Sequence, residues 1–171
     1  KSLNPYELRT KALDEELIKR YDGPLEAPIF LPFQFGERCP GWDTGRLGGW
    51  QDLSPIDERC TLYYSVLEGV IFNLYQCYLL LCNLSAAPEH LILSGGIVRS
   101  PVWLQMAADI FSIPMELADI EHASILGAVQ IGQKVLGNRK HLIDIDFRVT
   151  RIIYPKAPEI YSERFGQYLQ W

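Results

Sequence analysis

The run from residue 91 to residue 105 constrains this chain more than any other stretch. Leu91, Ile92 and Leu93 form an apolar run too short for a helix and bounded by turn residues, which predicts a buried strand. Gly95 and Gly96 follow; they carry no Cβ, so the backbone can turn with positive φ and another molecule can come close to it. Ser100 is a good helix cap and Pro101 suits the first helical position. Trp103, Met106, Ala107 and Ile110 then share one helical face. A glycine turn ahead of a helix start presents N–H groups and a positive dipole end, which suits a phosphate. The same pair also serves as a plain tight connection, and neither a P-loop pattern nor Gly-x-Gly-x-x-Gly is present to choose between the two.

The rest of the chain bounds the function classes. Its 171 residues are 48% hydrophobic, enough for one sizeable domain with its own core or for part of a larger protein. A net charge of −5 with 16 scattered basic residues gives no support for a nucleic-acid partner. The longest candidate apolar run, Leu79-Leu80-Leu81-Cys82, is far short of a membrane span, so no membrane partner is expected. Cys39, Cys60, Cys77 and Cys82 lack metal-ligand spacing, and His90, His122 and His141 are scattered; free thiols and a reducing cytoplasm are expected. The start at Lys1, with neither an initiator Met nor a signal-peptide core, leads to the expectation of a trimmed or partial chain.

In chain order, residues 5–21 predict a polar amphipathic helix with a solvated charged face, ended by Asp22-Gly23-Pro24. Residues 28–33 predict a Pro-bounded strand near a sheet edge. Residues 36–52 read as a long loop rich in turn residues, of the kind that often carries function. Its Trp42, Trp50, Arg38 and Arg46 suit a polyol or an anion; alternatively the two tryptophans pack the loop down. Ser54-Pro55-Ile56-Asp57 predicts the start of a long apolar helix running to about Asn83, central and covered by neighbours. Within it Glu68 is expected to pair locally, and Gly69 to admit the close approach of another backbone. Residues 113–117 predict a second short strand. Residues 121–136 predict a helix whose Ala123, Gly127 and Ala128 allow close packing on a sheet, residues 144–154 a strand, and residues 158–171 an aromatic helix. Alternating strands and helices give an α/β domain.

Laid out in this order, the chain resembles the C-terminal half of the FGGY carbohydrate kinases, most closely the gluconate-kinase type. The resemblance rests on residues 30–42, Arg46-Leu47-Gly48-Gly49, residues 66–75 (with Glu68-Gly69), Ser94-Gly95-Gly96, residues 99–109 and Ser124-Ile125-Leu126-Gly127-Ala128. It implies an actin-like, ribonuclease-H-like ATPase domain with a mixed sheet flanked by helices, residues 1–171 being the second such domain, incomplete at its start and without the first. It implies ATP-dependent phosphorylation of a sugar or sugar acid in the cytoplasm, with gluconate preferred and xylulose or another polyol possible. ATP, with magnesium held mainly through the nucleotide and the first domain, would be the cofactor. The resemblance places the nucleotide phosphates at Gly95 and Gly96, with Ile97 and Ser100 beside them, and makes Glu37 and Arg38 candidates for a loop facing the cleft.

The departures carry their own implications. The family's catalytic aspartate and most sugar contacts belong to the first domain, so no catalytic base is assigned here and this stretch alone is expected not to turn over. Arg46-Leu47-Gly48 stands where Arg-Gly is usual. The alternatives are a non-catalytic actin-like module that binds nucleotide or a protein, and a structural remnant with no ligand. Loss of preceding strands is expected to expose residues 30–35 and a flank around Tyr63, Tyr64 and Tyr75, and so to promote self-association.

Overall fold

The computed structural model describes residues 5–119, 123–137, 148–157 and 159–171. In order these form α1 (Pro5–Arg20), β1 (Ile29–Leu31), β2 (Gly49–Gln51), α2 (Arg59–Cys82), β3 (Leu91–Leu93), a 3-10 turn (Gly96–Arg99), α3 (Pro101–Phe111), β4 (Met115–Ala118), α4 (Ala123–Val135), β5 (Val149–Ile153) and α5 (Ser162–Gln170). The strand expected over residues 144–154 is β5 in its later part; residues 144–147 lie outside the described residues, as do residues 121 and 122 of the helix expected there.

The spine is α2, against which β1, α1, α3 and α5 all lie. Its buried face carries Tyr64, Leu67, Ile71 and Phe72. The helix starts at Arg59, later than Ser54-Pro55 suggests, because Ser54 and Asp57 close a turn of their own. Ser54 N donates to Asp57 Oδ2 (2.6 Å) and Asp57 N to the Ser54 carbonyl (3.1 Å). Glu58 caps the helix instead, its N–H donating to Thr61 Oγ1 at 3.1 Å. Gly69 does what its place in a helix suggests: a Cβ there would stand 2.1 Å from the Phe30 carbonyl oxygen, so β1 rests directly on the helix backbone. By length and composition α2 is a helix that a membrane could accept, although its longest unbroken apolar runs are short. Its first half packs into the core, with the carboxylate of Glu68 buried in it.

Strand β3 pairs in parallel with β4, Leu91 opposite Met115, and α3 is the crossover between them. Strand β5 adds antiparallel to β4, Ile153 opposite Met115, with an irregularity at Leu117/Ala118. The sheet is therefore mixed, in the order β3-β4-β5. As its periodicity predicts, α3 buries Met106, Ala107 and Ile110; Val102, Leu104 and Ala108 are buried as well. Buried Asp109 ties the chain after β5 to α3, its Oδ1 accepting from Lys156 N (2.6 Å) and Gln105 Nε2 (3.1 Å). The long loop before α2 is partly strand: β2 pairs antiparallel with β1, Phe30 opposite Trp50.

Three expectations are corrected. Helix α4 has no buried residue, and a Cβ on Gly127 would meet nothing within 4 Å, so its small residues do not seat it on the sheet. The C-terminal part of α2 is not covered all round, since Leu74, Leu79, Leu80 and Leu81 are exposed. Conversely, Tyr64 is fully buried, and Leu31 and Phe33 are core residues, so of the apolar side chains expected to be exposed only Phe35 stands fully out, with Phe30, Tyr63 and Tyr75 half-buried. Further apolar surface lies on α4 and the end of α2.

Candidate functional site

The glycine turn leaves β3 at Ser94 and bends at Gly95, whose φ of +87° and ψ of −152° only glycine adopts without strain. Gly95 and Gly96 are both exposed, and a Cβ built on either meets nothing within 4 Å. The glycines do not feed α3 directly. The 3-10 turn intervenes, with Val98 N donating to the Gly95 carbonyl (3.4 Å) and Ser100 N to the Ile97 carbonyl (3.2 Å). A ligand above this turn would therefore meet the backbone of Gly95 and Gly96, with the start of α3 one turn behind it.

Ser100 and Ile97 play inward parts. Ser100 is buried; its Oγ accepts from Trp103 N at 3.3 Å, as an N-cap does, and donates to Asp14 Oδ1 at 2.6 Å. One hydroxyl thus caps α3 and fastens it to α1. Ile97 is half-buried and packs against the core, which fixes the far side of the turn. The rigid support and the open front of the turn come from adjacent residues.

The loop over residues 36–48 is held from within. Glu37 is buried, its Oε1 accepting from Gly41 N (3.1 Å) and lying 3.4 Å from Arg46 Nη1. The Arg46 guanidinium sits over the rings of Phe33 (4.8 Å) and Tyr168 (5.4 Å) and donates to the Tyr168 carbonyl (3.4 Å). Glu37 is thus turned into the loop rather than toward an open cleft, because its carboxylate is the group that pins the loop's turn and its arginine. Arg38 faces solvent, with its guanidinium 5.5 Å from the ring of exposed Trp42. Of the two tryptophans, Trp50 packs the loop down through Phe30 (5.0 Å between ring centres) and by donating to Ser65 Oγ (2.9 Å).

Sequence reading missed the polar knot behind α2. Glu68 accepts from Arg164 Nε (2.7 Å) and Nη2 (2.5 Å) in a two-pronged pair, and from Tyr64 OH (2.7 Å); Arg164 Nη1 also donates to the Ala27 carbonyl (3.1 Å). Only Tyr64 is the local partner expected for Glu68. The arginine comes from 96 residues away, and nothing in its aromatic helix marks it out. Tyr161 continues the knot to Tyr21, the two hydroxyls 2.6 Å apart. Burial pushes the phenols up, Tyr21 to about 12, and Tyr64 and Tyr161 further. A hollow of about 700 Å³ opens beside this knot, lined by Arg20, Glu26, Asp57 and Arg164 among others; the glycine turn is no part of it. We regard the turn as the better site, because the hollow is open, carries mixed charge, and its Arg20 and Arg164 are already paired with Glu58 and Glu68.

A β-strand, a glycine turn, a crossover helix and a parallel strand, backed by a long central helix, are the parts of an actin-like ATPase domain. The solved structures agree. A ligand-bound xylulose kinase from Lactobacillus acidophilus matches with a TM-score of 0.72 at 25% identity, over 94% of this chain and 33% of that one. Gluconate kinase from the same organism gives 0.71 at 25% identity, over 94% and 33%. The model of the FGGY family of carbohydrate kinases, C-terminal domain, matches residues 6–133, and the chain belongs to that family. Gluconokinase of Bacillus licheniformis is 35% identical over 136 residues, 79% of this chain and 26% of the relative, and xylulose kinase of Bacillus subtilis is 25% identical over 94% and 34%. The chain thus spans about a quarter of the length of the gluconokinases it matches.

Proposed function

We propose that these residues form the second, nucleotide-holding domain of an ATP-dependent kinase that phosphorylates a sugar or sugar acid, with gluconate as the preferred acceptor and xylulose or another polyol as the alternative. The observation that carries this reading is the exposed Gly95–Gly96 backbone with open space before it, supported from behind by Ile97 and Ser100. The gluconokinase relatives, at 35% and 32% identity, favour the sugar acid over the xylulose for which the more distant relatives are named.

The turn fits the phosphates of ATP: its backbone is accessible, no side chain stands in front, and the positive end of α3 lies behind it. ATP supplies the phosphoryl group when bound. The part of this chain is to orient the phosphates and keep them in place, since phosphoryl transfer depends on position and charge compensation more than on covalent help from the protein. Among the described residues no three His, Cys, Asp or Glu side chains gather as a metal site, and we place magnesium on the nucleotide and the other domain. The base that accepts the sugar hydroxyl proton is assigned to that domain too. Four free cysteines suit a cytoplasmic protein.

Gly96 provides the test. Its φ is not in the left-handed region and its Cβ position is open, so Gly96→Val keeps the fold while filling the space a phosphate needs. In the protein as its gene encodes it, calorimetric titration is expected to show ATP binding weakened at least about tenfold, a loss of about 1.4 kcal/mol. Equal dissociation constants for the variant and the parent would place the phosphates elsewhere. A coupled assay with gluconate and xylulose then tests the acceptor separately.

A further inference from the structure

Two of the four cysteines, far apart in sequence, meet in the fold. Cys39 lies exposed in the loop over residues 36–48, and Cys77 half-buried on α2; their sulfurs are 3.3 Å apart. The meeting is held in place, because Asn73, one helical turn before Cys77, donates from Nδ2 to the Cys39 carbonyl at 2.9 Å. On the other side Glu37 and Arg46 pin the same loop. We propose that Cys39 and Cys77 are a reversible thiol–disulfide pair, a modification site that tethers this loop to α2 when the protein meets a low-molecular-weight disulfide such as oxidised glutathione. The proposal is independent of the kinase reading.

The chemistry balances as two exchanges. The Cys39 thiolate attacks one sulfur of the small disulfide, forming a mixed disulfide and releasing one small thiolate. The Cys77 thiolate then attacks the Cys39 sulfur, forming the Cys39–Cys77 bond and releasing the second small thiolate. The two protons lost by the cysteines end on the two released thiols; the protein pair is oxidised by two electrons and the small disulfide reduced by two. The roles follow from the geometry. Cys39 is the exposed thiol an incoming disulfide can reach, whereas Cys77 is half-buried and its S–H donates to the Cys39 sulfur. Burial, then this hydrogen bond, push the Cys77 thiol up to about 11 and keep it protonated, so it is a slow nucleophile that reacts only because the mixed disulfide sets an electrophilic sulfur beside it. Bond formation needs the sulfurs to close by about 1 Å, within reach of a side-chain rotation. Cys60 is buried, and Cys82 lies beyond Cys77 on the same helix, so neither offers Cys39 a comparable partner.

The experiment treats the gene-encoded protein with oxidised glutathione, denatures it, alkylates the remaining thiols and maps the peptides. Trypsin leaves Cys60, Cys77 and Cys82 in one peptide; chymotrypsin, cutting after Tyr75 and Tyr78, separates Cys77 from the other two. Within residues 1–171 the expected result is two alkylated cysteines instead of four, an intact mass lower by two hydrogens before alkylation, and a Cys39–Cys77 cross-linked peptide that dithiothreitol dissolves. In Cys77→Ser the reaction is expected to stop with one glutathione on Cys39; in Cys39→Ser the cross-link is lost. A Cys77–Cys82 link, a link between two chains, or four alkylated cysteines after treatment would each overturn the proposal.

Discussion

Gly69 shows how one absent methyl group fixes the place of a strand. Helix propensity alone favours alanine there by about 1 kcal/mol. The Phe30 carbonyl occupies the space that the alanine Cβ would need, so Gly69→Ala must push β1 off α2 or bend the helix. The contact wins, and we expect a net destabilisation of about 1–3 kcal/mol, read as a lower midpoint in urea unfolding; a variant as stable as the parent or more so would show that β1 does not rest there. The purpose of this glycine was legible in the sequence, since a glycine inside an apolar helix weakens it and calls for a packing reason. Its neighbour Glu68 was not legible in the same way. A buried carboxylate demands a partner, but a local rule reaches only Tyr64, and the stronger partner, Arg164, is a product of the fold. The glycine turn falls between these cases: its conformation and the Ser100 cap followed from residue types, while the 3-10 turn and the tie to Asp14 did not.

At the scale of elements, the ends of α1 and α2 meet the start of α5 through phenols. Tyr21 and Tyr161 share a hydrogen bond, and Tyr64 binds Glu68 beneath them. Their burial favours the neutral form, so the folded pKa values lie above the unfolded value of 10.0, at about 12 for Tyr21. The folded state therefore holds more protons than the unfolded state once pH passes 10. Stability is expected to be level below that point and to fall as pH rises toward 12, about one proton per phenol setting the slope. Tyr161→Phe should make the fall shallower, whatever it does to stability at neutral pH. Urea midpoints taken from pH 8 to pH 11 measure both slopes, and parallel curves would remove the cluster as the source. The elements themselves were well marked where a cap, a proline or a strict period was present, as in α3. They were misjudged where a competing turn took over the cap residues, as at Ser54, and where an apolar face was assumed to find its cover within this stretch, as in α4.

For the molecule as a whole, the distribution of apolar surface is the consequential fact. Ile125, Val129, Ile131 and Val135 are exposed on α4, and Leu74, Leu80 and Leu81 on α2, although the chain buries a sound core around Tyr64, Phe72 and Met106. Strand β3 pairs only with β4 among the described residues, which leaves its other edge with open backbone groups. Extensive apolar surface and a free strand edge rarely stay bare on a soluble monomer. The relatives are about four times as long as the stretch that matches, so they have other chain with which to cover such surface. The 171 residues alone have only further copies of themselves, and they are expected to self-associate at micromolar concentration. Light scattering across a dilution series should give a mass above 19.6 kDa that falls as the protein is diluted. Ile125→Lys with Val129→Lys changes two exposed positions and leaves the core intact, so it should shift the distribution toward monomer without lowering the unfolding midpoint. A parent chain that stays monomeric at every concentration and unfolds in one cooperative step would show that α4 and the edge of β3 need no cover, and that the domain is complete in itself.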